Sequence, residues 1–351
     1  MPNKNIFTGV VEDPRVASAK ACDYQAEEVV EFAIPKWEEK PPEKWRRFPT
    51  RNQNGSSTCV AQTGAKMLGI ENILEESNNP FKIFSALDIY DRRQNKPQEG
   101  MYGVDALTIL SKFGATMDDR LPSQLLTEKQ ANRPVVRAIE DLSLADKYRA
   151  GGYVQLPFEI DKIAAILETG KSVMLFFSFG NGEWNDIPEL KVSNPQWRHS
   201  ITGVDKTIWK DEKAIIIEDS WGNFNAWQGQ RVITEKFLKE RLFFAGYLLD
   251  LSNDHRKLEE KKDEKPHYKF IRNMGWSYVI RDDVKKLQDI LRFEGYFPKN
   301  QISTGKFLQI TAKALKAWQI AHNIMDFVKE TNLQKIWART KTLTELNKIY
   351  S

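Results

Sequence analysis

At 351 residues the chain is too long for one ordinary hydrophobic core and predicts two domains with a further short segment. Its formal charge of +4 is small against 52 basic and 48 acidic side chains, and the two signs are interspersed, which argues against a nucleic-acid partner. Two cysteines cannot build a disulfide framework, no apolar run reaches membrane-spanning length, and the N-terminus lacks the apolar core of a secretory signal, so a reducing compartment and no membrane partner are expected.

Residues 1–48 carry Pro14, Pro35, Pro41 and Pro42, which break helices, and a strand-like run from Glu27 to Phe32. They predict an extension that covers the back of the next domain, with no inhibitory leader evident. From Thr58 the pattern changes. Hydroxyl residues able to cap a helix lead into apolar positions at Val60, Ala61, Ala65, Met67 and Leu68, which places Cys59 at a helix N-terminus. Further helices are expected over 80–94, 104–113 and 160–167. The period then switches to short apolar, β-branched and aromatic runs, SVMLFFSF, ITGVD and AIIIEDSW, which read as strands of one sheet. Helices first and sheet second make this region, 49–251, an α+β domain.

Residues 252–269 are dense in both charge signs, nearly free of apolar side chains, and read as a linker. Beyond it, amphipathic stretches at 283–293 and 311–320, and an apolar stripe through Leu333, Ile336, Trp337 and Leu343, predict a small all-α helical bundle over 270–351. No internal repeat is evident, and the tail from Met325 reads as an added helix.

One of the two cysteines, Cys59, follows the polar run RNQNGSST, and a helix N-terminus supplies part of the positive environment that a thiolate nucleophile needs. Of the four histidines, His255 and His267 fall in the charged linker and His322 in the small bundle, which leaves His199 as the natural base. A base histidine needs a third group to hold its other N–H, and Asp219, at the end of the strand AIII, would lie beside it if the two strands are antiparallel neighbours. The amide of Gln53, with the backbone N–H of Cys59, could form an oxyanion hole. Cys22 reads as structural.

The order Gln, Cys, His, Asp, carried by Q-N-G-S-S-T-C-V-A, R-H-S-I-T-G-V-D and I-E-D-S-W-G-N, resembles the papain family of cysteine peptidases over roughly 43–250. The resemblance implies a helical subdomain beside an antiparallel sheet or barrel. It also implies Cys59 as nucleophile, His199 as base, Asp219 in the place of the usual asparagine, Gln53 in the oxyanion hole and Trp221 as the indole shielding the His–Asp contact. The stretch EGMYGVDALTILSKFG resembles the cleft segment, so Gly100, Met101, Tyr102 and Gly103, together with Trp221, become the substrate-binding candidates. Val60 and Ser56 depart from the family's tryptophan and disulfide cysteine.

In the last domain V-x-x-L-Q, L-x-x-x-G-Y, T-G-x-F and T-x-x-A-L-x-x-W-Q resemble a peptidoglycan-binding domain, with Leu308 where a glycine is usual. The expectation is a thiol protease acting on a protein or peptide substrate, directed to the bacterial cell wall by its last domain. It would be made in the cytoplasm and, through bacteriophage association, be found in a virion among other virion proteins or be delivered to the wall. No metal or cofactor is implied, because no cluster has ligand spacing. The alternatives are a catalytically silent structural or adaptor protein of a virion and an intracellular processing peptidase.

Overall fold

The computed structural model describes residues 9–11, 24–25, 32–76, 80–223, 227–251, 265–297, 303–324 and 332–351. Cys22, His255, the strand-like positions 27–31, the linker residues 252–264 and positions 325–331 lie outside the described residues. The chain divides into two compact units, one of Met1–Asp23 with Phe32–Arg256, the other of Tyr24–Glu31 with Lys257–Ser351.

The first unit is built on helix α1 (Cys59–Glu75), whose residues are buried from Cys59 to Asn72. Its sequence contains no proline and buries apolar residues alongside Gln62, Lys66, Glu71 and Asn72, each with a polar partner, as suits a helix enclosed by other elements. Around it lie α2 (Ala86–Asp91), α3 (Gly103–Lys112), α4 (Glu128–Ala131), α5 (Ile139–Asp146), α6 (Ile160–Glu168) and α7 (Glu235–Arg241). The helix expected over 80–94 is shorter at both ends: Ser85 caps α2 by accepting the N–H of Asp88 at 3.2 Å, and Phe84 just before it pairs with Met117 in an isolated bridge.

Six strands of this unit, β1 (Tyr153–Gln155), β2 (Val173–Phe179), β3 (Trp197–Trp209), β4 (Glu212–Glu218), β5 (Gln230–Thr234) and β6 (Leu242–Leu248), lie in the order β1-β6-β2-β3-β4-β5. Each pairing between neighbours of these six strands is antiparallel. Between β3 and β4, Lys210 and Asp211 both have positive φ (49° and 65°), so a two-residue turn joins Trp209 to Glu212 and sets the register back to Asp205, and a bulge between Gly203 and Asp205 shifts it by one residue so that Thr202 comes opposite Glu218. The strands β1, β5 and β6 carry no clear alternation. Two of them are short, and β6 begins where α7 ends with no turn residue to announce the change.

Residues 36–48 run along β3 and the end of β4, with Ile208 N–H donating to Glu38 O (3.0 Å) and Phe48 N–H to Glu218 Oε1 (2.9 Å). Trp45 completes an apolar cluster with Ile70, Val204, Ala214, Ile216 and Val232. Residues 9–11 depart from the expectation that the whole extension covers the back. Val10 forms a parallel bridge with Met101, in the segment that leads into α3.

A buried ion pair fastens α1 to the sheet: Lys66 Nζ lies 2.8 Å from Glu218 Oε2, with both side chains 5% exposed or less. Burial pulls the Lys66 ammonium below its ordinary range, and Glu218 opposes that pull. Glu218 also accepts from Phe48 N–H and Gln230 Nε2 (3.2 Å), so one carboxylate ties the extension, α1 and β5 together.

The second unit contains α8 (Asp282–Phe293), α9 (Gln309–Ala321) and α10 (Thr340–Tyr350) around Leu287, Leu291, Leu315, Trp318, Ile336 and Leu346, all buried. A repeat is present after all. Gln288 Nε2 donates to Lys306 O (3.0 Å) and Thr311 Oγ1 (2.8 Å), and 31 positions later Gln319 Nε2 donates to Trp337 O (2.9 Å) and Thr342 Oγ1 (2.8 Å). The sequence hides it because the flanking apolar residues differ, Leu287 before one glutamine and Trp318 before the other.

Glu218→Gln leaves a buried ammonium without a counter-charge. It is predicted to destabilise the first unit by about 3–5 kcal/mol, measured by urea unfolding. Lys66→Met with Glu218→Gln is predicted to cost less than the sum of the single changes, because the pair is removed together.

Candidate active site

Asn54 and Gly55 both take positive φ (49° and 73°) and reverse the chain directly after Gln53. The chain then enters α1, whose first residue is Cys59, with Thr58 as N-cap. Thr58 does not cap with its side chain. Its hydroxyl instead pairs with Ser56 Oγ at 2.8 Å, and Ser56 Oγ–H donates to Gln53 O. The first bond within α1 runs from Gln62 N–H to Thr58 O, and no acidic side chain stands in the first turn. The N–H groups at the start of the helix therefore point out of it without an intrahelical acceptor, and the positive end of the helix dipole faces the sulfur. Cys59 itself is fully buried.

His199 lies on β3 opposite Phe177, and Asp219 follows directly on β4. The antiparallel neighbours bring them together as the sequence predicts: His199 Nε2 stands 2.7 Å from Asp219 Oδ1, and both side chains are inaccessible to solvent. Asp219 Oδ1 also accepts Ser220 N–H (2.8 Å), while Oδ2 accepts Trp184 Nε1–H (3.2 Å) and Arg231 Nε–H (3.1 Å). With Nε2 committed to Asp219, the other ring nitrogen, Nδ1, is buried without an oriented hydrogen bond, and the Cys59 sulfur is close enough to raise the ring's affinity for a proton. Burial alone would lower the imidazole. The charge and the hydrogen bond of Asp219, with smaller pushes from Cys59, together outweigh it and move His199 up to about 9. Burial likewise pushes Asp219 up, but His199 and then Arg231 hold it well below the usual carboxylate range.

Trp221 stacks on the imidazole with ring centroids 4.6 Å apart and planes 27° from parallel, and Trp184 meets it edge-on at 6.0 Å. The Arg231 guanidinium lies 5.6 Å from the centroid of each indole. Two contacts then join the glutamine loop to the aspartate loop. Gln53 N–H donates to Ser220 O (2.8 Å), and Ser220 Oγ–H donates to Gln53 Oε1 (2.6 Å). The Gln53 amide nitrogen donates one N–H to Ser56 O, which leaves its second N–H available.

Cys59, His199, Asp219 and Gln53 are thus brought together, and Trp221 covers the imidazole without being placed among the cleft candidates. The four cleft candidates divide. Met101 is buried with its N–H on Gly9 O (3.0 Å) and its carbonyl accepting Val11 N–H (3.1 Å), Gly100 takes φ +77° with its N–H on Tyr90 Oη (2.9 Å), and Tyr102 is the N-cap of α3. Gly103 is a packing position: a Cβ there would fall 2.4 Å from Phe176 Cε2, so α3 can approach the sheet only over a glycine. Sequence reasoning missed Arg231 and Trp184. Arg231 was detectable as a basic residue inside the strand QRVIT, whereas nothing in GNGEWND marks Trp184.

Among the described residues one carboxylate cluster gathers, Glu71, Glu75 and Asp250, with burial pushing Glu71 up to about 8. The Lys171 ammonium bonds both Glu71 and Asp250 (2.7 Å), so a side-chain cation already serves it.

No protein-family model matches the chain, and a search of the curated proteins finds no match. Solved structures do match. Xylellain, a cysteine protease from Xylella fastidiosa, aligns over 72% of this chain and 99% of its own, with 18% identity and a TM-score of 0.57. The cysteine protease and lectin-like domains of Cwp84, a surface layer associated protein of Clostridium difficile, align over 72% of this chain and 57% of theirs, with 14% identity and a TM-score of 0.53. Digestive procathepsin L 3 of the Tenebrio molitor larval midgut aligns over 64% and 75%, with 13% identity and a TM-score of 0.50. The chain has the fold of papain-like cysteine proteases, α+β as expected.

The raised imidazole depends on a negative partner, which an amide cannot supply. Below about 9 the folded His199 is protonated, and above it that charge is lost. In Asp219→Asn the pH at which the His199 imidazolium loses its proton is predicted to move down from about 9 towards the ordinary imidazole range near 6.5. An NMR titration of the imidazole measures it, and an unchanged midpoint would remove Asp219 as the source of the shift.

Proposed function

We propose that the first unit is a cysteine peptidase that cleaves amide bonds in protein or peptide substrates. The observation that carries this reading is the buried His199–Asp219 contact of 2.7 Å, which commits Nε2 and leaves Nδ1 beside a thiol at the uncapped start of α1. The Cys59 proton passes to His199 Nδ1, and the thiolate attacks the substrate carbonyl. The developing oxyanion accepts from the free N–H of Gln53 and from the backbone N–H of Cys59. His199 then protonates the leaving amine, and a thioester to Cys59 remains. Water, losing its proton to His199, cleaves that thioester, which releases the acid and restores the thiol. Asp219 keeps the ring oriented and stabilises the imidazolium, and Arg231 and Trp184 keep Asp219 in place.

The second unit is read as an anchor on peptidoglycan, supported by its resemblance at Val284–Gln288, Thr304–Phe307 and Thr311–Gln319. Delivery to the bacterial wall, and an origin in a phage, follow from the pairing of such an anchor with a peptidase. The tether would then raise the local concentration of the cleft at insoluble substrate.

Cys59→Ala and His199→Ala are each predicted to abolish hydrolysis of a fluorogenic peptide while circular dichroism stays unchanged, because nucleophile and base act as one unit. Gln53→Ala is predicted to slow turnover on the order of a hundredfold, the effect of one lost oxyanion donor. Full activity in Cys59→Ala would end the peptidase assignment.

For the anchor, the intact protein is predicted to sediment with purified sacculi. A chain ending at Leu251 is predicted to remain in the supernatant. If both behave alike, the second unit is not the wall contact.

A further inference from the structure

The amide of Gln53 is aimed by a peptide group, and that peptide group is held by a carboxylate 71 positions further along the chain. Gln53 Nε2–H donates to Ser56 O, and the N–H on the other side of the same peptide bond, that of Ser57, donates to Glu128 Oε2. A peptide bond is planar and trans, so its carbonyl and its N–H point in opposite directions and turn together. An acceptor fixed on the Ser57 side therefore fixes the carbonyl that holds the Gln53 amide. Glu128 is itself held. It is the first residue of α4, and its Oε1 accepts Tyr90 Oη–H (3.0 Å) and an N–H of Asn132 Nδ2. Tyr90 Oη accepts Gly100 N–H (2.9 Å), and the Arg93 guanidinium lies 3.8 Å from the Tyr90 ring centroid with Nη2 donating to Gln98 O (2.9 Å). The two oxygens thus serve two walls of the site, the loop from Gln53 to Cys59 through Ser57 and the segment 100–103 through Tyr90. Cys59 is the only cysteine in either wall, so no disulfide can tie them.

We propose that Glu128 is a positioning residue for the oxyanion donor: its carboxylate sets the Ser56–Ser57 peptide and, through it, the free N–H of the Gln53 amide. This rests on the cysteine peptidase reading for what that N–H does, but not for whether Glu128 sets it. Glu128 acts through Ser57 and not on the substrate. A carboxylate offers two acceptor oxygens and can serve Ser57 and Tyr90 at once, whereas an amide offers one and would turn its own N–H groups towards a donor. The bond to Glu128 also polarises the peptide, which strengthens Ser56 O as an acceptor for Gln53. Without that bond the peptide is free to turn, and the oxyanion then meets a donor that has first to be reoriented.

In the full-length protein, Glu128→Ala and Glu128→Gln are each predicted to lower kcat for a fluorogenic peptide about tenfold, less than the loss in Gln53→Ala because the donor is misaligned and not removed. Because Glu128 acts only through Gln53, Glu128→Ala is predicted to add nothing in a Gln53→Ala background, whereas a role in folding alone would lower both backgrounds alike. The side-chain amide signals of Gln53 in an NMR spectrum, identified by their loss in Gln53→Ala, are predicted to shift in both Glu128 variants, a readout that needs no activity. The near-isosteric Glu128→Gln keeps the volume, so its spectrum separates a turned peptide from a loosened fold. An unchanged kcat in an active protein, equal losses in the two backgrounds, or unmoved Gln53 signals would overturn the role of Glu128. Shifted signals with no hydrolysis in any protein, the unaltered chain included, would leave that role standing and overturn the peptidase reading instead.

Discussion

A carboxylate that no water can reach has to find every one of its acceptor contacts within the protein, and Asp219 organises its half of the molecule by doing so. Its oxygens take N–H groups from His199, Ser220, Trp184 and Arg231, which come from β3, the loop after β4, the loop after β2, and β5. Four separate segments must therefore be in register before the charge is satisfied, and an unpaired buried charge is costly enough that partial arrangements are disfavoured. Where a neutral amide would need only one neighbour to orient the histidine, the charged group needs a cation as well. Arg231 meets that need, and the two indoles on which it lies keep water from the contact.

The candidate site was legible in the sequence to the extent that its chemistry is local or exclusive. Cys59 could be placed because a helix start has a local pattern, and His199 because the other three histidines fall outside the domain. Asp219 was reachable because hairpin neighbours are close in sequence. Arg231, Trp184 and the bridge of Val10 to Met101 were not. Their roles depend on which distant segments meet, and three residues paired with Met101 contain no period to detect. The hydroxyl run before Cys59 was read as capping, as propensity suggests. In the structure Ser56 and Thr58 bond each other and Gln53 O, so the stretch serves the glutamine loop and leaves the helix start open.

The fold was legible where apolar runs were long. α1, α3, α6, β2, β3 and β4 fall where periodicity puts them. The short or mixed strands β1, β5 and β6 acquire their identity from pairing in the sheet, which is a tertiary effect that propensity does not contain. Gly103 shows the same limit. A glycine next to a cleft motif invites a substrate role, yet contact with Phe176 accounts for it.

The glutamine clamps of the second unit share a helix. α9 gives Thr311 near its start to the first clamp and Gln319 near its end to the second, so neither clamp can open without loosening the element that closes the other. Two repeats joined in this way do not behave as independent modules stacked end to end. They melt as one, and a break between them would strand a buried amide on either side. The unit can thus present a single rigid surface from the three short helices among its described residues, and a chain interrupted within α9 would forfeit all of it at once.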